Sequence, residues 1–315
     1  MIYKIIRLNF IGNARFGSGI LETSMLRITA DSVFSAICCE LAKSGKKEYI
    51  PQLVSLVRRG EIKLSDTFPF KGDQLYLPRP FVSVKAETDD GDSIKKKAFR
   101  KLKYIPIAKY EAFLKGHFTF EECQDTLRDI SEASDFSVYM QVAVRTNDDP
   151  EPYSVGKVKF SDDSGLWFLL AASDETKLNE LIKVIDSLGY TGIGGKRSSG
   201  CGRFKVQLID VPDYLHDRLN SQDGPFVSLS VCLPRKEELE KAVENASYSI
   251  AKKSGFVYSE DYSSSPKKKN DIYVFESGSC FMNSFSGDVY DVASDGNHSV
   301  YRYAVPMFIS IGGKV

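Results

Sequence analysis

The stretch Gly192–Phe204 contains five glycines within eleven residues, and it also carries three cationic side chains, Lys196, Arg197 and Arg203. Glycine loses more backbone entropy on folding than any other residue. Such density therefore predicts positions that need positive φ or very close approach of another group. We interpret the stretch as a loop whose exposed main-chain N–H groups bind the phosphates of a polyanion. The alternative is purely architectural, a helix C-cap followed by a glycine bulge in a twisted sheet.

Two common phosphate-binding loops do not fit this stretch. A Walker A loop requires a glycine where this chain has Tyr190, and serine or threonine where Arg197 follows the lysine. A dinucleotide-binding fingerprint follows a strand and opens a helix. Here an amphipathic helical pattern ends at Gly189 and a strand pattern begins at Phe204, which is the reverse order.

The bulk properties restrict the classes of protein that the chain can belong to. A length of 315 residues predicts two domains, which we place at residues 1–210 and 211–315. The 42 basic and 42 acidic residues cancel, so a nucleic-acid site has to be a local patch. Six cysteines without a C-x-x-C pair favour reduced thiols in a cytoplasmic protein. We expect no membrane contact, because no signal peptide and no apolar run of about 20 residues occurs.

The order of predicted elements favours an α+β fold. A strand at Tyr3–Phe10 and a helix from Ala30 to Leu41 come first, and later elements complete a split β-α-β pattern. These later elements are a helix at 51–58, a hairpin from 62–64 to 75–77, strands at 138–145 and 166–172, a helix at 175–188 and a strand at 204–209. After residue 210 a strand at 226–233, a charged helix at 234–243 and several short strands predict a second, β-richer domain.

Asp31 stands in the first turn of the predicted first helix. We expect it to cap N–H groups and to complement the helix dipole. The other reading is a nuclease carboxylate, but nothing beside Asp31 in the sequence suggests a metal partner.

A basic insertion at about residues 86–104 is the second informative feature. Six of the nine residues 95–103 are lysine or arginine, with Phe99 among them and Tyr104 directly after. Cations that follow phosphates and rings that stack on bases suit single-stranded nucleic acid, and RNA is favoured by analogy with ferredoxin-like folds. A solvated helix face is the alternative.

The sequence contains no recognisable catalytic motif. The three histidines are far apart and none has a partner at metal-ligand spacing. We therefore expect no catalytic residue, no metal and no cofactor.

The glycine-rich stretch resembles the signature of the RAMP proteins of CRISPR–Cas systems. Further segments, in order along the chain, resemble the branch of that superfamily that supplies the fourth Csm subunit of type III-A effector complexes. These segments are residues 28–36, 66–70, 75–80, 97–106, 151–156, 254–257 and 300–304.

The resemblance implies two ferredoxin-like (RRM-like) domains with insertions and a protruding basic thumb, for which residues 86–104 are the candidate. It also implies a non-catalytic subunit that binds the 5′ handle of the crRNA and caps the complex. The expected protein partners are the large polymerase/cyclase-like subunit and the backbone RAMP subunit. Target RNA would be contacted indirectly, through the guide duplex.

The resemblance also implies site residues. Gly194, Gly195, Lys196, Arg197 and Ser198 would cradle the handle phosphates, and the cations Lys97, Arg100, Lys101 and Lys103 would line the RNA path.

After the first strand, relatives often have Pro-x-His-x-Gly where this chain has Asn13–Gly17. Arg15 thus replaces a histidine, and arginine pairs with phosphate but is no general base at neutral pH. With Phe16 and Gly17 it completes the expected RNA-binding set. Two alternatives remain, a crRNA-processing endoribonuclease and a protein-interaction module with an architectural glycine loop.

Overall fold

The computed structural model describes residues 1–17, 19–82, 93–143, 149–259 and 261–312. The helices are α1 (Ala30–Lys43), α2 (Tyr49–Arg58), α3 (Ser93–Lys101), α4 (Tyr110–Leu114), α5 (Phe120–Glu132), α6 (Glu175–Thr191), α7 (Asp213–Asn220) and α8 (Leu239–Val243). Short 3-10 helices span Ile107–Lys109 and Arg197–Ser199.

The first ten strands are β1 (Ile2–Phe10), β2 (Asn13–Ala14), β3 (Ile62–Leu64), β4 (Phe68–Lys71), β5 (Gln74–Pro78), β6 (Tyr104–Pro106), β7 (Ser134–Ala143), β8 (Glu151–Phe160), β9 (Ser164–Ala172) and β10 (Phe204–Ile209). The remaining strands are β11 (Phe226–Ser228), β12 (Ile250–Lys253), β13 (Ile272–Phe275), β14 (Cys280–Phe281), β15 (Asp288–Asp291), β16 (Tyr301–Ala304) and β17 (Phe308–Ser310).

A seven-stranded antiparallel sheet forms the centre of the molecule. Its strand order is β10-β1-β9-β4-β5-β6, and β3 pairs with β9 beside β4. In β1, Ile6 and Leu8 face one side of the sheet and Ile5 faces the other, as the period of two requires. The nine residues of β9 are all buried, because both faces of the sheet are covered. The mixed α/β class with antiparallel sheets is therefore confirmed.

The two faces of the sheet bury two different apolar clusters. One face packs against α1, α2 and α6, through side chains such as Phe34 and Leu188. The other face packs against α4, α7 and the residues before α5, through Trp167, Tyr110 and Leu215. Both helices of the predicted split β-α-β pattern, α1 and α6, thus lie on one side of the sheet.

The residues after 210, called the second half of the chain below, build small sheets and complete both large clusters. Its sheets are β14-β11-β17, β12-β13 and β15-β16. Tyr303 and Val305 belong to the first cluster, whereas Met307 and Ile309 belong to the second. A smaller cluster around Phe281 consists only of residues from this part of the chain. The two halves of the chain therefore share their main hydrophobic interior.

Several predicted elements differ from those observed. Residues 62–64 pair with β9 instead of entering the hairpin, which is formed by β4 and β5 around Gly72. The predicted strand 226–233 is regular only over β11, and of the predicted helix 234–243 only α8 forms. For the strand segments the reason is that their backbone partners lie far away in the sequence. Leu229, for example, donates its N–H to the carbonyl of Met307.

Asp31 does not cap α1, and the prediction that it would is wrong. Its carboxylate accepts hydrogen bonds from Nη1 of Arg302 at 2.5 Å and from the backbone N–H of Tyr303 at 3.1 Å. The side chain of Asp31 is 2% exposed, so this is a buried ion pair between the two halves. The backbone N–H of Ala30 is satisfied instead by Asp66, another buried carboxyl.

A long β-hairpin projects beside the end of β1. β7 and β8 pair along ten residues each, and β2 pairs with the base of β8. One side of β7 carries Phe136, Val138, Met140 and Val142, all between 48% and 77% exposed. The sequence predicts a strand at 138–145, of which residues 144 and 145 lie outside the described residues, but it does not predict β8. This hairpin is therefore an apolar projection that the sequence did not reveal.

Candidate nucleic-acid interface

The glycine-rich loop leaves α6 and returns to β10 through a compact turn. Gly192 ends α6 with φ +80°, and the N–H of Ile193 donates to the carbonyl of Gly202. Lys196 adopts the left-handed conformation with φ +58°, which is uncommon for a residue with a side chain. The loop is thus fixed by its own hydrogen bonds. The C-cap in the architectural alternative is present at Gly192.

Close approach by the chain's own carbonyl groups explains two of the glycines. A Cβ at Gly194 would lie 2.3 Å from the carbonyl oxygen of Arg15, and a Cβ at Gly202 would lie 2.0 Å from that of Ile193. A polyanion is therefore not needed to explain these positions. Gly200 differs, because a Cβ there would meet no atom within 4 Å and only its φ of +78° favours glycine.

The loop also presents backbone donors that the protein does not use. The N–H groups of Gly192, Gly195 and Gly202 donate to protein carbonyls. Among the described residues, no acceptor bonds the N–H groups of Lys196, Arg197 or Ser198. These three amides follow one another, and Ser198 is exposed. An anionic oxygen can accept from consecutive amides of this kind.

Three cationic residues belong to the same loop as these amides. Lys196 donates through Nζ to the hydroxyl of Tyr153 at 2.8 Å and lies 4.7 Å from its ring centroid. The guanidinium of Arg197 lies 4.8 Å from the ring centroid of Tyr258, and Arg203 is exposed. Within the described parts of the chain, none of the three forms an ion pair with a carboxylate. Their positive charge is consequently available to a phosphate.

The first loop of the chain packs directly on the glycine-rich loop. The carbonyl of Arg15 accepts from the N–H of Gly195 at 2.8 Å, and its guanidinium donates to the carbonyls of Ile20 and Leu21. Phe16 is buried against Phe10, so its ring is not accessible to a base. Gly17 is exposed. The three predicted residues thus lie at the interface, but Arg15 and Phe16 make contacts within the protein that stabilise its own fold.

The described part of the basic insertion lies elsewhere. α3 carries Lys97, Arg100 and Lys101, with Lys103 just after it, and all four side chains are exposed. The insertion's residues 86–92 fall outside the described residues. Phe99 is not exposed, because it packs edge-to-face on Phe118 with ring centroids 6.4 Å apart.

The two basic features are not brought together. The glycine-rich loop joins β10 at one edge of the main sheet, whereas α3 joins β6 at the other edge. Five strand spacings of about 4.8 Å place these edges about 24 Å apart. The loop and α3 also attach at opposite ends of the strands, because Phe204 pairs with the end of β1 and Tyr104 pairs with the end of β5. They are separate surfaces.

Sequence reasoning missed the aromatic residues of this interface. Tyr153 comes from β8, and Lys157 of the same strand lies 4.6 Å from the ring centroid of Tyr139. Tyr258 comes from the second half of the chain. Lys43, at the end of α1, is 5.6 Å from the same Tyr258 ring. No local pattern joins these residues, because they come together through the tertiary fold.

Most of the cysteine side chains lie in the interior of the fold. All six cysteines are free, and Cys123, Cys201, Cys232 and Cys280 are buried. Burial raises the pKa of the Cys232 and Cys280 thiols to about 12. Across the described ranges, no group of three or more His, Cys, Asp or Glu side chains is placed to hold a metal ion. Of the helices that the structure describes, none has the length and apolar character to span a bilayer.

Two family models match the chain, and they divide it in two. The model of the RAMP superfamily matches residues 11–205, and the model of the CRISPR Csm4 C-terminal domain matches residues 221–311. The fold and its glycine-rich loop are accordingly those of a RAMP protein, and the chain belongs to the RAMP superfamily.

Two relatives narrow this assignment to one family. The Csm4 proteins of Mycobacterium tuberculosis and Streptococcus thermophilus are 33% and 34% identical to the chain. The first match covers 98% of this chain and 97% of the relative, and the second covers 99% of each. The chain is therefore a member of the Csm4 family of CRISPR systems.

Solved structures agree on the fold. The likeness to a Csm3-Csm4 subcomplex of a type III-A interference complex has a TM-score of 0.67 at 18% identity, over 98% of this chain and 100% of the other. The likeness to a Csm1-Csm4 cassette in complex with cA4 has a TM-score of 0.60 at 19% identity, over 99% of each. These likenesses extend over both halves of the chain.

Proposed function

We propose that the chain is a non-catalytic RNA-binding subunit of a type III-A CRISPR interference complex, and that its glycine-rich loop binds the 5′ handle of the crRNA. One observation carries this proposal. Consecutive unpaired amides at 196–198 lie beside Lys196, Arg197 and Arg203, which have no carboxylate partner among the described residues. Phosphate oxygens satisfy such donors and such charges together.

The arrangement favours binding over cleavage. Arg15, which stands where relatives often have histidine, donates through its guanidinium to two backbone carbonyls, and a guanidinium has no acceptor atom with which to take up a proton. His216 and His298 lie outside the loop, and their ring nitrogens are within hydrogen-bond distance of Asn220 and Ser259. Neither histidine is positioned by a contact with the glycine-rich loop. Among the described residues, neither of these two histidines is therefore placed as a general base for an endoribonuclease at the loop.

The proposal includes the architecture and the partners. The strand order β10-β1-β9-β4 with α1 and α6 on one face supports a ferredoxin-like first domain, and we propose the same origin for the second, divided from it near residue 210. Solved relatives are assembled with Csm1 and Csm3. We propose equivalent contacts here, with the large polymerase/cyclase-like subunit and the backbone RAMP subunit, in the cytoplasm. Target RNA would be reached through the guide duplex.

The cations of α3 form a second, independent candidate surface. Lys97 and Arg100 or Lys101 are three or four residues apart and therefore share a helix face. Their separation from the glycine-rich loop means that one phosphate cannot be held by both. The hairpin β7-β8 lies beside the loop, because Tyr153 of β8 accepts a hydrogen bond from Lys196. We infer that this hairpin, as well as residues 86–104, is a candidate for the projecting thumb.

The test uses the co-expressed effector complex. Lys196→Ala with Arg197→Ala is expected to reduce the amount of crRNA retained, and ultraviolet crosslinks from the constant 5′ end of the RNA should map to residues 192–204. Lys183→Ala with Lys205→Ala removes two exposed cations without touching the three amides, and serves as the matched control.

Crosslinks that avoid the loop, with normal RNA retention in the double variant, would contradict the binding role. Incubation of the purified complex with repeat RNA should leave the RNA intact. Cleavage that disappears in an Arg15 or histidine variant would support the endoribonuclease instead.

A further inference from the structure

Two large aromatic side chains project together from the second half of the chain. Phe256 is 66% exposed and Tyr258 is 65% exposed. They are two residues apart on an extended segment and so project from the same side. Val257, between them, packs inward on the cluster formed by Tyr262 and its neighbours.

The backbone of this segment is fixed. The N–H of Val257 donates to the carbonyl of Lys267 at 2.9 Å, and the N–H of Lys269 donates to the carbonyl of Gly255 at 2.8 Å. Phe256 forms an antiparallel bridge with Lys268. The two exposed rings are therefore presented by an ordered two-stranded segment.

Cations from two separate parts of the chain lie over the ring of Tyr258. Arg197 of the glycine-rich loop is 4.8 Å from the ring centroid and Lys43 at the end of α1 is 5.6 Å from it. Both cations, together with Lys269, also act on the nearby Cys39. Burial raises the pKa of that thiol, and the three cations oppose the rise.

The carboxylate of Glu40, on the same helix as Lys43, makes its hydrogen bonds elsewhere. Glu40 is buried and accepts hydrogen bonds from the hydroxyls of Ser187 and Thr191. Neither Lys43 nor Arg197 forms an ion pair within the described parts of the chain. Exposed rings interleaved with unpaired cations are the composition that binds single-stranded nucleic acid, in which rings stack on bases and cations follow phosphates.

We propose that Phe256 and Tyr258, flanked by Arg197 and Lys43, form a stacking platform for an unpaired RNA base. Because Arg197 belongs to both groups, the base that stacks here is attached to the strand whose phosphates the glycine-rich loop binds. The inference rests on the proposed function of that loop and adds to it a contribution from the second half of the chain. The ligand is a single-stranded segment of RNA with at least one unstacked base.

The experiment compares two probes that differ in bases but not in phosphates. The full chain is titrated at low salt with a fluorescent oligoadenylate of about twelve nucleotides. A ribose-phosphate chain of the same length without bases is the second probe. The native chain should bind the oligoadenylate more tightly, by roughly tenfold per stacked base.

The variants separate stacking from charge. Tyr258→Ala should remove most of the preference for the probe with bases and leave the salt dependence unchanged, whereas Tyr258→Phe should retain both. Lys196→Ala with Arg197→Ala should instead make the log–log salt slope shallower by about 1.4. Tyr214→Ala is the matched control, because Tyr214 is 44% exposed on α7 over the opposite face of the sheet.

Each outcome has a defined meaning. Equal base preference in the native chain and in folded Tyr258→Ala, with the expected change of slope in the loop variant, would overturn the platform and leave the proposed loop function intact. Loss of base preference in Tyr258→Phe as well as in Tyr258→Ala would also contradict stacking, because the ring is retained. Failure of the native chain to bind either probe would contradict the platform and the loop together.

Discussion

The loss in the free energy of unfolding when Asp31 is replaced by Ala distinguishes a buried ion pair from a helix cap. A lost cap costs about 0.5–2 kcal/mol of the free energy of unfolding, and a lost charge at a helix N-terminus costs about 0.3–1 kcal/mol. Removing one partner of a buried pair costs about 3–5 kcal/mol, because the other charge stays buried and unpaired. In this chain that charge is Arg302, which is 9% exposed.

The contacts of Arg302 support the larger value. With Asp31 gone, Nη2 would still donate to the carbonyl of Ser254 at 2.7 Å, but Nη1 would lose its acceptor. Nε already has no partner among the described residues. The backbone N–H of Tyr303 would lose its acceptor as well. We therefore expect Asp31→Ala to cost about 3–5 kcal/mol.

Thermal and denaturant unfolding measure this loss. An unfolding entropy of about 2.1 cal/mol/K per residue, applied to the full length of the chain, converts it to a fall in Tm of about 4–8 °C. The matched control is Asp213→Ala, because Asp213 is an exposed carboxylate in the first turn of α7 and should cost no more than about 1 kcal/mol.

The double variant Asp31→Ala with Arg302→Met completes the test. It should be less destabilised than the sum of the two single variants, because neither charge is then left alone. Equal small effects of Asp31→Ala and Asp213→Ala, or strict additivity in the double variant, would refute the buried-pair reasoning.

Two further predictions concern packing and burial. Gly202→Ala should cost about 1–3 kcal/mol more than Gly200→Ala in urea unfolding, because only the first places a Cβ against a backbone carbonyl; equal costs would contradict this. Burial raises the pKa of three buried thiols to about 11 or 12. Their contribution to the free energy of unfolding is therefore fully present below the ordinary thiol pKa of 9.0 and is lost as the pH rises through 11–12. At about pH 9.5 iodoacetamide should alkylate these thiols much faster in urea than in the native chain, as mass spectrometry would show, and equal rates would contradict their burial. The three are Cys123, Cys232 and Cys280.

Local patterns predicted the elements that local interactions define. The helix α1, the strand β10 and the turn at the glycine-rich loop follow from periodicity and composition, and they are observed with small shifts at their ends. The strand β8 was missed because Pro152 and Gly156 resemble turn signals. Gly156 is in fact required by close packing, since a Cβ there would lie 2.3 Å from the carbonyl oxygen of Glu22.

Contacts between distant segments could not be predicted. Asp31 and Arg302 are 271 residues apart, and no periodicity reports such a partner. The contact between Arg197 of the glycine-rich loop and Tyr258 likewise joins residues far apart in the sequence, and no local pattern predicts it. The sequence likewise gives no sign of how far the glycine-rich loop lies from the basic helix α3. The sheet places them at opposite edges because β6 and β10 are its two outer strands.

The shared interior has a consequence for synthesis of the chain on the ribosome. Met307, Ile309 and Ile311 fill one of the two main clusters, and Val305 fills the other. Neither face of the central sheet can be fully covered until this last stretch has emerged. Folding of one half ahead of the other, which is usual in chains with separate domains, would leave apolar surface open to aggregation during translation. We therefore expect the nascent chain to need chaperones. We also expect a truncated product to be degraded, because its apolar surface stays exposed.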